Sequence, residues 1–170
     1  MWANHREASS LSTTSIKIRP AVEADLPLIH ALIRELAEYE KLSHVVTATE
    51  ARLRETLFGP RPAAEVLIAS LDSTPVGFAL FFQNFSTFLA QPGLYLEDLF
   101  VRPEFRGRGI GRALLSKLAA IAVERNYGRV EWAVLDWNEP AIKFYQSLGA
   151  KPMDDWTVFR LTGEEMRNVK

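Results

Sequence analysis

The chain has 170 residues, 48% hydrophobic and 24% charged, with 20 Lys plus Arg against 21 Asp plus Glu. This is the composition of an ordinary globular domain, and a net charge of -1 supplies no field for gathering nucleic acid or an anionic membrane, so neither is expected as a partner. The absence of cysteine and the scatter of His5, His30 and His44 exclude a disulfide framework, a thiolate metal site and a thiol nucleophile, and no metal is expected.

Met1 to Ser15 is polar, lacks the apolar centre of a secretory signal and reads as a tail before a single domain over residues 16–170. No stretch of about 18 apolar residues is present, so a transmembrane helix is not expected and the cytoplasm is the expected location. Ser15 to Arg19 reads as a first strand. Asp25 then precedes Leu26, Ile29, Leu32, Ile33 and Leu36, whose spacing predicts an amphipathic helix. The box Thr47-Ala48-Thr49-Glu50 announces a second helix that ends near Gly59-Pro60. Glu65 to Leu71 and Val76 to Phe85 form a predicted antiparallel hairpin about Asp72-Ser73-Thr74-Pro75, and Gly93 to Val101 is a further strand.

A long helix from Gly109 to about Arg125 follows. Next come a strand from Arg129 to Leu135, a helix from Pro140 to Leu148 closed by Gly149, and a tail read as strand, turn and strand. Strands that first meander and then alternate with helices give a mixed α/β fold with one βαβ crossover and so a parallel pair.

The most informative stretch runs from Leu99-Phe100-Val101 through Arg106-Gly107-Arg108-Gly109-Ile110-Gly111-Arg112. A strand there enters a helix through a glycine-rich basic turn. Glycines let the backbone approach a ligand closely, while unpaired amides at the helix start and three arginines suit a pyrophosphate. A dinucleotide fingerprint needs a different glycine spacing, and a P-loop needs Lys-Ser or Lys-Thr where Arg112-Ala113 stands. The plain alternative is a connection whose arginines face water. Ile110, Leu114, Leu118 and Ile121 form the stripe that would anchor the helix behind the turn.

Arg106-x-x-Gly109-x-Gly111 resembles the acyl-CoA pyrophosphate motif of the GNAT superfamily. Tyr95-Leu96-Glu97-Asp98-Leu99-Phe100-Val101 and Asp136-Trp137-Asn138-Glu139-Pro140-Ala141-Ile142-Lys143-Phe144-Tyr145 resemble the diamine and spermidine/spermine acetyltransferases of that superfamily, and the likeness extends from Ile18 almost to the C-terminus. It implies a mostly antiparallel sheet with one splayed parallel pair, acetyl-CoA as co-substrate, and a homodimer. It also implies that residues 99 to 101, the turn from Arg106 to Arg112, Asn138 and Ala141 contact the coenzyme. Tyr39, Glu40, Glu97, Glu131 and Trp132 fall on the amine side.

An aliphatic ammonium with a pKa near 10.4 is deprotonated in about one molecule in 10³ at neutral pH, so acetylation of an amine needs a base. Glu97 and Asp98 are carboxylates in an apolar strand, and adjacent strand residues point to opposite faces. The resemblance selects Glu97, acting through water, and burial there would raise its carboxyl toward the useful range. The resemblance likewise makes Tyr145 the acid that protonates the leaving thiolate. Without cysteine, direct transfer in a ternary complex is favoured, with a backbone amide near Leu99 facing the oxyanion.

Glu35, Glu38, Tyr39 and Glu40 end the first helix, either as a solvated face or as holders of a distal positive charge. The loop from Asn84 to Pro92 carries no acid, a departure from the polyamine enzymes that points to putrescine, ornithine, lysine or thialysine. A peptide or protein N-acetyltransferase, or an inactive acyl-CoA-binding module, remains as the alternative.

Overall fold

The computed structural model describes residues 15–169, so the tail expected over Met1 to Ser15 lies almost wholly outside the described residues. The chain divides into two compact units, one running through Ala133 and the other from Val134 onward. The first holds a single sheet of β1 (Ile16–Pro20), β2 (Glu65–Leu71), β3 (Thr74–Ser86), β4 (Gln91–Val101) and β5 (Val130–Trp132), in that spatial order. Neighbours are antiparallel except β4 and β5, which run parallel because α3 (Ile110–Glu124) crosses over between them.

The β2–β3 hairpin turns on two residues, Asp72 and Ser73, both at positive φ. That twist matches the strands, and Thr74-Pro75 is thereby drawn from the expected turn into β3. The side chain of Asp72 accepts the amide of Ser15 at 2.8 Å, tying down the start of β1.

Alternation along the strands sorts the core onto two faces. Val66, Ile68, Phe78 and Phe100 meet Leu26, Ile29, Leu32 and Leu36 of α1 (Leu26–Tyr39) with Leu53 and Leu57 of α2 (Glu50–Phe58). Leu67, Ala69, Ala79, Phe81, Leu94 and Leu96 are buried on the other face, where α3 packs. The expected stripe Ile110, Leu114, Leu118 and Ile121 is buried there.

Two boundaries differ from expectation. The second helix starts at Glu50 rather than at the box beginning with Thr47: Thr49 has the extended backbone of a cap, and its hydroxyl accepts the Arg52 amide at 3.2 Å. β5 is three residues long instead of reaching Leu135. It pairs as far as Trp132 opposite Leu96, immediately before β4 bulges, and a ladder ends where its partner loses register.

The second unit contains α4 (Glu139–Ser147) and α5 (Gly163–Asn168). α4 starts on the Asn138 side chain with Pro140 in its first turn, and ends at Gly149 with φ 88°, as its sequence signals require. The strand–turn–strand expected after it is not formed. A strand exists only in a ladder with another, and among the described residues 150–162 join none; the main-chain bonds there are local, such as that from the Trp156 amide to the Met153 carbonyl at 3.1 Å. The last stretch is helical instead, with Glu164 and Glu165 in the first turn where the helix dipole favours acids. Among the described residues no helix is long and apolar enough to cross a membrane.

Candidate active site

The turn between β4 and α3 is shaped by Gly107 and Gly109, at φ 76° and 82°, a left-handed conformation that costs an L side chain roughly 1–2 kcal/mol. Gly109 is the N-cap of α3, and its carbonyl accepts the Ala113 amide at 2.9 Å. No backbone acceptor among the described residues takes the amides of residues 107 to 112. These are the orphan donors of a helix start, so Gly107, Arg108, Gly109, Ile110, Gly111 and Arg112 present a run of amides of the kind that suits an anion. Arg108 and Arg112 are exposed at its rim, whereas Ile110 is buried and fixes the helix beneath.

Arg106 is turned elsewhere. Its Nε donates to the Val101 carbonyl at 2.9 Å, and its guanidinium lies 4.3 Å from the centroid of the Tyr39 ring and 5.7 Å from that of Phe100. A neighbouring arginine grips α1 one turn earlier. Arg102 donates to both oxygens of Glu35 at 2.8 Å and to the Pro75 carbonyl at 3.0 Å. Glu35 is therefore held by Arg102 and pins α1 to the end of β4. Glu35, Glu38, Tyr39, Phe100, Arg102 and Glu104 line an open groove of about 400 Å³ between them.

In β4, Leu96 pairs with Phe81 and Asp98 with Leu80, so Glu97 is the extra residue of a β-bulge. The expectation that burial would act on Glu97 is corrected here: its side chain is exposed, and the half-buried carboxyl is that of Asp98. Burial pushes the Asp98 carboxyl up to about 7, aided by the negative charges of Glu97 and Glu40. Glu40 is itself raised by burial. Three carboxyl groups thus share one neighbourhood, and the proton-holding one faces the α1 side of the sheet, opposite Leu80.

β5 stops opposite Leu96 while β4 continues to Val101, so the β5-side edge of Glu97 to Val101 has no strand partner within this unit. Leu99, Phe100 and Val101, which the resemblance sets against the coenzyme, lie on this open stretch of β4, where the Val101 carbonyl already accepts from Arg106. Glu131 and Trp132, expected together on the amine side, fall on opposite faces. Glu131 stands beside Tyr95 on the Asp98 face, and Trp132 stands beside Leu96, which faces α3. Glu131 accepts from Asn84 Nδ2 at 2.9 Å and lies 2.7 Å from Arg129 Nε.

In the second unit, Asn138 caps α4 by accepting the Ala141 amide at 3.4 Å, which gives both residues a structural task. Tyr145 is half-buried, its ring 5.4 Å from that of Phe144.

The resemblance selected Glu97 over Asp98; alternation alone leaves the two acids on opposite faces and cannot reveal the bulge on which Glu97 sits. It did not single out Arg102 or Arg129 at all, since a lone arginine carries no spacing signal.

The model of the "Acetyltransferase (GNAT) family" matches residues 29–150. The chain is similar to a thialysine N-epsilon-acetyltransferase of Bos taurus, 41% identical over 165 residues covering 91% of this chain and 96% of that protein. It is also similar to an L-ornithine N5-acetyltransferase of Arabidopsis thaliana, 34% identical over 198 residues covering 90% and 87%. Among solved structures, an integron cassette protein from the mobile metagenome of V. cholerae superposes with a TM-score of 0.75 at 28% identity, covering 90% of this chain and 96% of that one.

Proposed function

The chain belongs to the acetyltransferase (GNAT) family and is an N-acetyltransferase, and from that premise we propose that it moves the acetyl group of acetyl-CoA onto a primary amine of a small diamine or basic amino acid. The observation that carries this reading is the Asp98 carboxyl, held at about 7 beside Glu97 and Glu40. A carboxyl partly ionised at neutral pH and set among further acids attracts an ammonium and, as the carboxylate, accepts its proton.

The amides of residues 107 to 112, with Arg108 and Arg112, hold the diphosphate of the coenzyme, and Leu99, Phe100 and Val101 hold its pantetheine arm. Arg106 joins the diphosphate by leaving the Tyr39 ring. The amine nitrogen attacks the thioester carbonyl while its proton passes to the Glu97–Asp98 pair, directly or through a water. The developing oxyanion takes a main-chain amide near Leu99, and the C–S bond then breaks. Tyr145 gives its proton to the departing thiolate, a role that rests on the resemblance of the Asn138 to Tyr145 segment. Tyr39 and Glu40 bound the amine on the α1 side. The large apolar side chains of Trp156, Val158 and Phe159, all more than two-thirds exposed, support a homodimer that covers them.

Thiol release from acetyl-CoA, followed with ornithine, lysine, thialysine, putrescine, spermidine and a lysine-containing peptide, tests the reading. Turnover with the small amines is expected. Turnover with the peptide alone would overturn it.

A further inference from the structure

Arg129 immediately precedes β5, where its carbonyl takes the Leu94 amide at 2.9 Å, and Glu131 is the second residue of that strand; the 2.7 Å between Arg129 Nε and Glu131 sets both side chains on one face. Register places that face. Glu131 pairs beside Tyr95, Tyr95 is opposite Phe82, and Asp98 is opposite Leu80 two residues along the same strand. All of these side chains therefore rise on the α1 side of the sheet, with the Tyr95 and Phe82 rings 5.3 Å apart between the two charged groups.

The pair is bound into its surroundings but not covered by them. Arg129 Nη1 is 3.3 Å from Ser86 Oγ, and Asn84 Nδ2 holds Glu131 at 2.9 Å. The Arg129 side chain is still 38% exposed and that of Glu131 34%. Gly93 makes the room: a Cβ there would overlap the Asn84 side-chain oxygen and crowd Arg129 at 3.3 Å. That Asn84 oxygen is buried with no hydrogen-bond partner, a donor-seeking group beside the pair.

One strand spacing of about 4.8 Å and three residues along β4, one of them the bulged Glu97, separate Glu131 from Asp98, roughly 8–9 Å between backbones. An amino acid with three or four side-chain methylenes spans roughly 6–7 Å between its two nitrogens at ordinary bond lengths. Side chains reaching inward from both ends close the difference.

We propose that Arg129 and Glu131 form a receptor for the zwitterionic head of an α-amino acid, Arg129 taking the carboxylate and Glu131 the α-ammonium, while the side-chain amine reaches Asp98. This rests on the amine-acetylating reading above and narrows its substrate class. A lone acid at this position would favour a second ammonium and hence a diamine. The arginine cancels that charge and adds a fork suited to a carboxylate. Asp98 and its neighbours then attract only the amine that is to be acetylated.

Two comparisons test it. In the unaltered protein, kcat/KM for ornithine should exceed that for putrescine and for ornithine methyl ester by tenfold or more, since both analogues lack the carboxylate charge. In Arg129→Gln the ornithine value should fall about 10- to 100-fold, with putrescine gaining on it through the uncompensated Glu131. Equal values for ornithine and its two analogues in the unaltered protein would overturn the proposal, whether or not the variant folds. So would an Arg129→Gln variant that loses both substrates by the same factor, because a merely structural ion pair has no preference between them. No turnover with any amine would instead defeat the acetyl-transfer reading.

Discussion

Replacing Asp98 by asparagine keeps the shape of the side chain and removes the ionisation. The folded protein holds this carboxyl at about 7 against an ordinary 3.8, so the native state binds the proton more tightly than the unfolded chain does. The stability linked to that proton is fully present below about pH 3.8 and is lost as the pH rises through 7. The interval between those values corresponds to about 4 kcal/mol, an upper figure because Asp98 retains some contact with water. Asp98→Asn should therefore melt close to the parent at pH 4.5 and above it at pH 8, by roughly 5–10 °C for a chain of this size. The same variant should lose turnover about 10²-fold or more and lose the acid limb of kcat/KM, whose midpoint near pH 7 reports the base in the free enzyme. Thermal denaturation at the two pH values and a pH–rate profile decide it. A variant that melts with the parent at pH 8 and keeps the acid limb would refute both the placement of the charge and its task.

Glu97→Gln should lower turnover about tenfold or more while sparing acetyl-CoA affinity, as initial rates and calorimetry would show, because Glu97 is exposed on the bulge and its charge helps hold the proton on Asp98. Gly109→Ala should weaken coenzyme binding and cost about 1–2 kcal/mol in denaturant unfolding, from its φ of 82° alone, since nothing lies within 4 Å of an added Cβ. Arg102→Ala should cost about 1–3 kcal/mol, and combined with Glu35→Gln the two losses should fall short of additive in a double-mutant cycle. Tyr145→Phe should slow acetyl transfer while the protein stays folded, as rates and circular dichroism would show.

What the sequence makes legible is what repeats at a fixed period or breaks backbone rules. The stripe through Ile110, Leu114 and Leu118 locates α3 and its buried face. The glycines at 107 and 109 locate the turn into α3, because glycine takes the left-handed bend without the cost that a Cβ adds. The crossover to a parallel pair follows from chain order. The bulge at Glu97 was not legible, since an extra residue in one strand depends on the register of its partner. That one slip decides which of two adjacent acids is buried. Pairings such as Arg102 with Glu35, 67 residues apart, and Asn84 with Glu131, 47 apart, depend on sheet order rather than on local pattern. The apolar residues Trp156, Val158 and Phe159 look like strand material in the sequence, yet a strand exists only where another offers its edge.

The account turns on an amine being drawn to the Asp98 face and acetylated there. The most direct measurement is the structure of the product formed from ornithine and acetyl-CoA, read by NMR. Acetyl on the side-chain nitrogen, with the α-amine untouched, is the predicted result. Acetyl on the α-nitrogen, or bound coenzyme that is never turned over with ornithine, would contradict it.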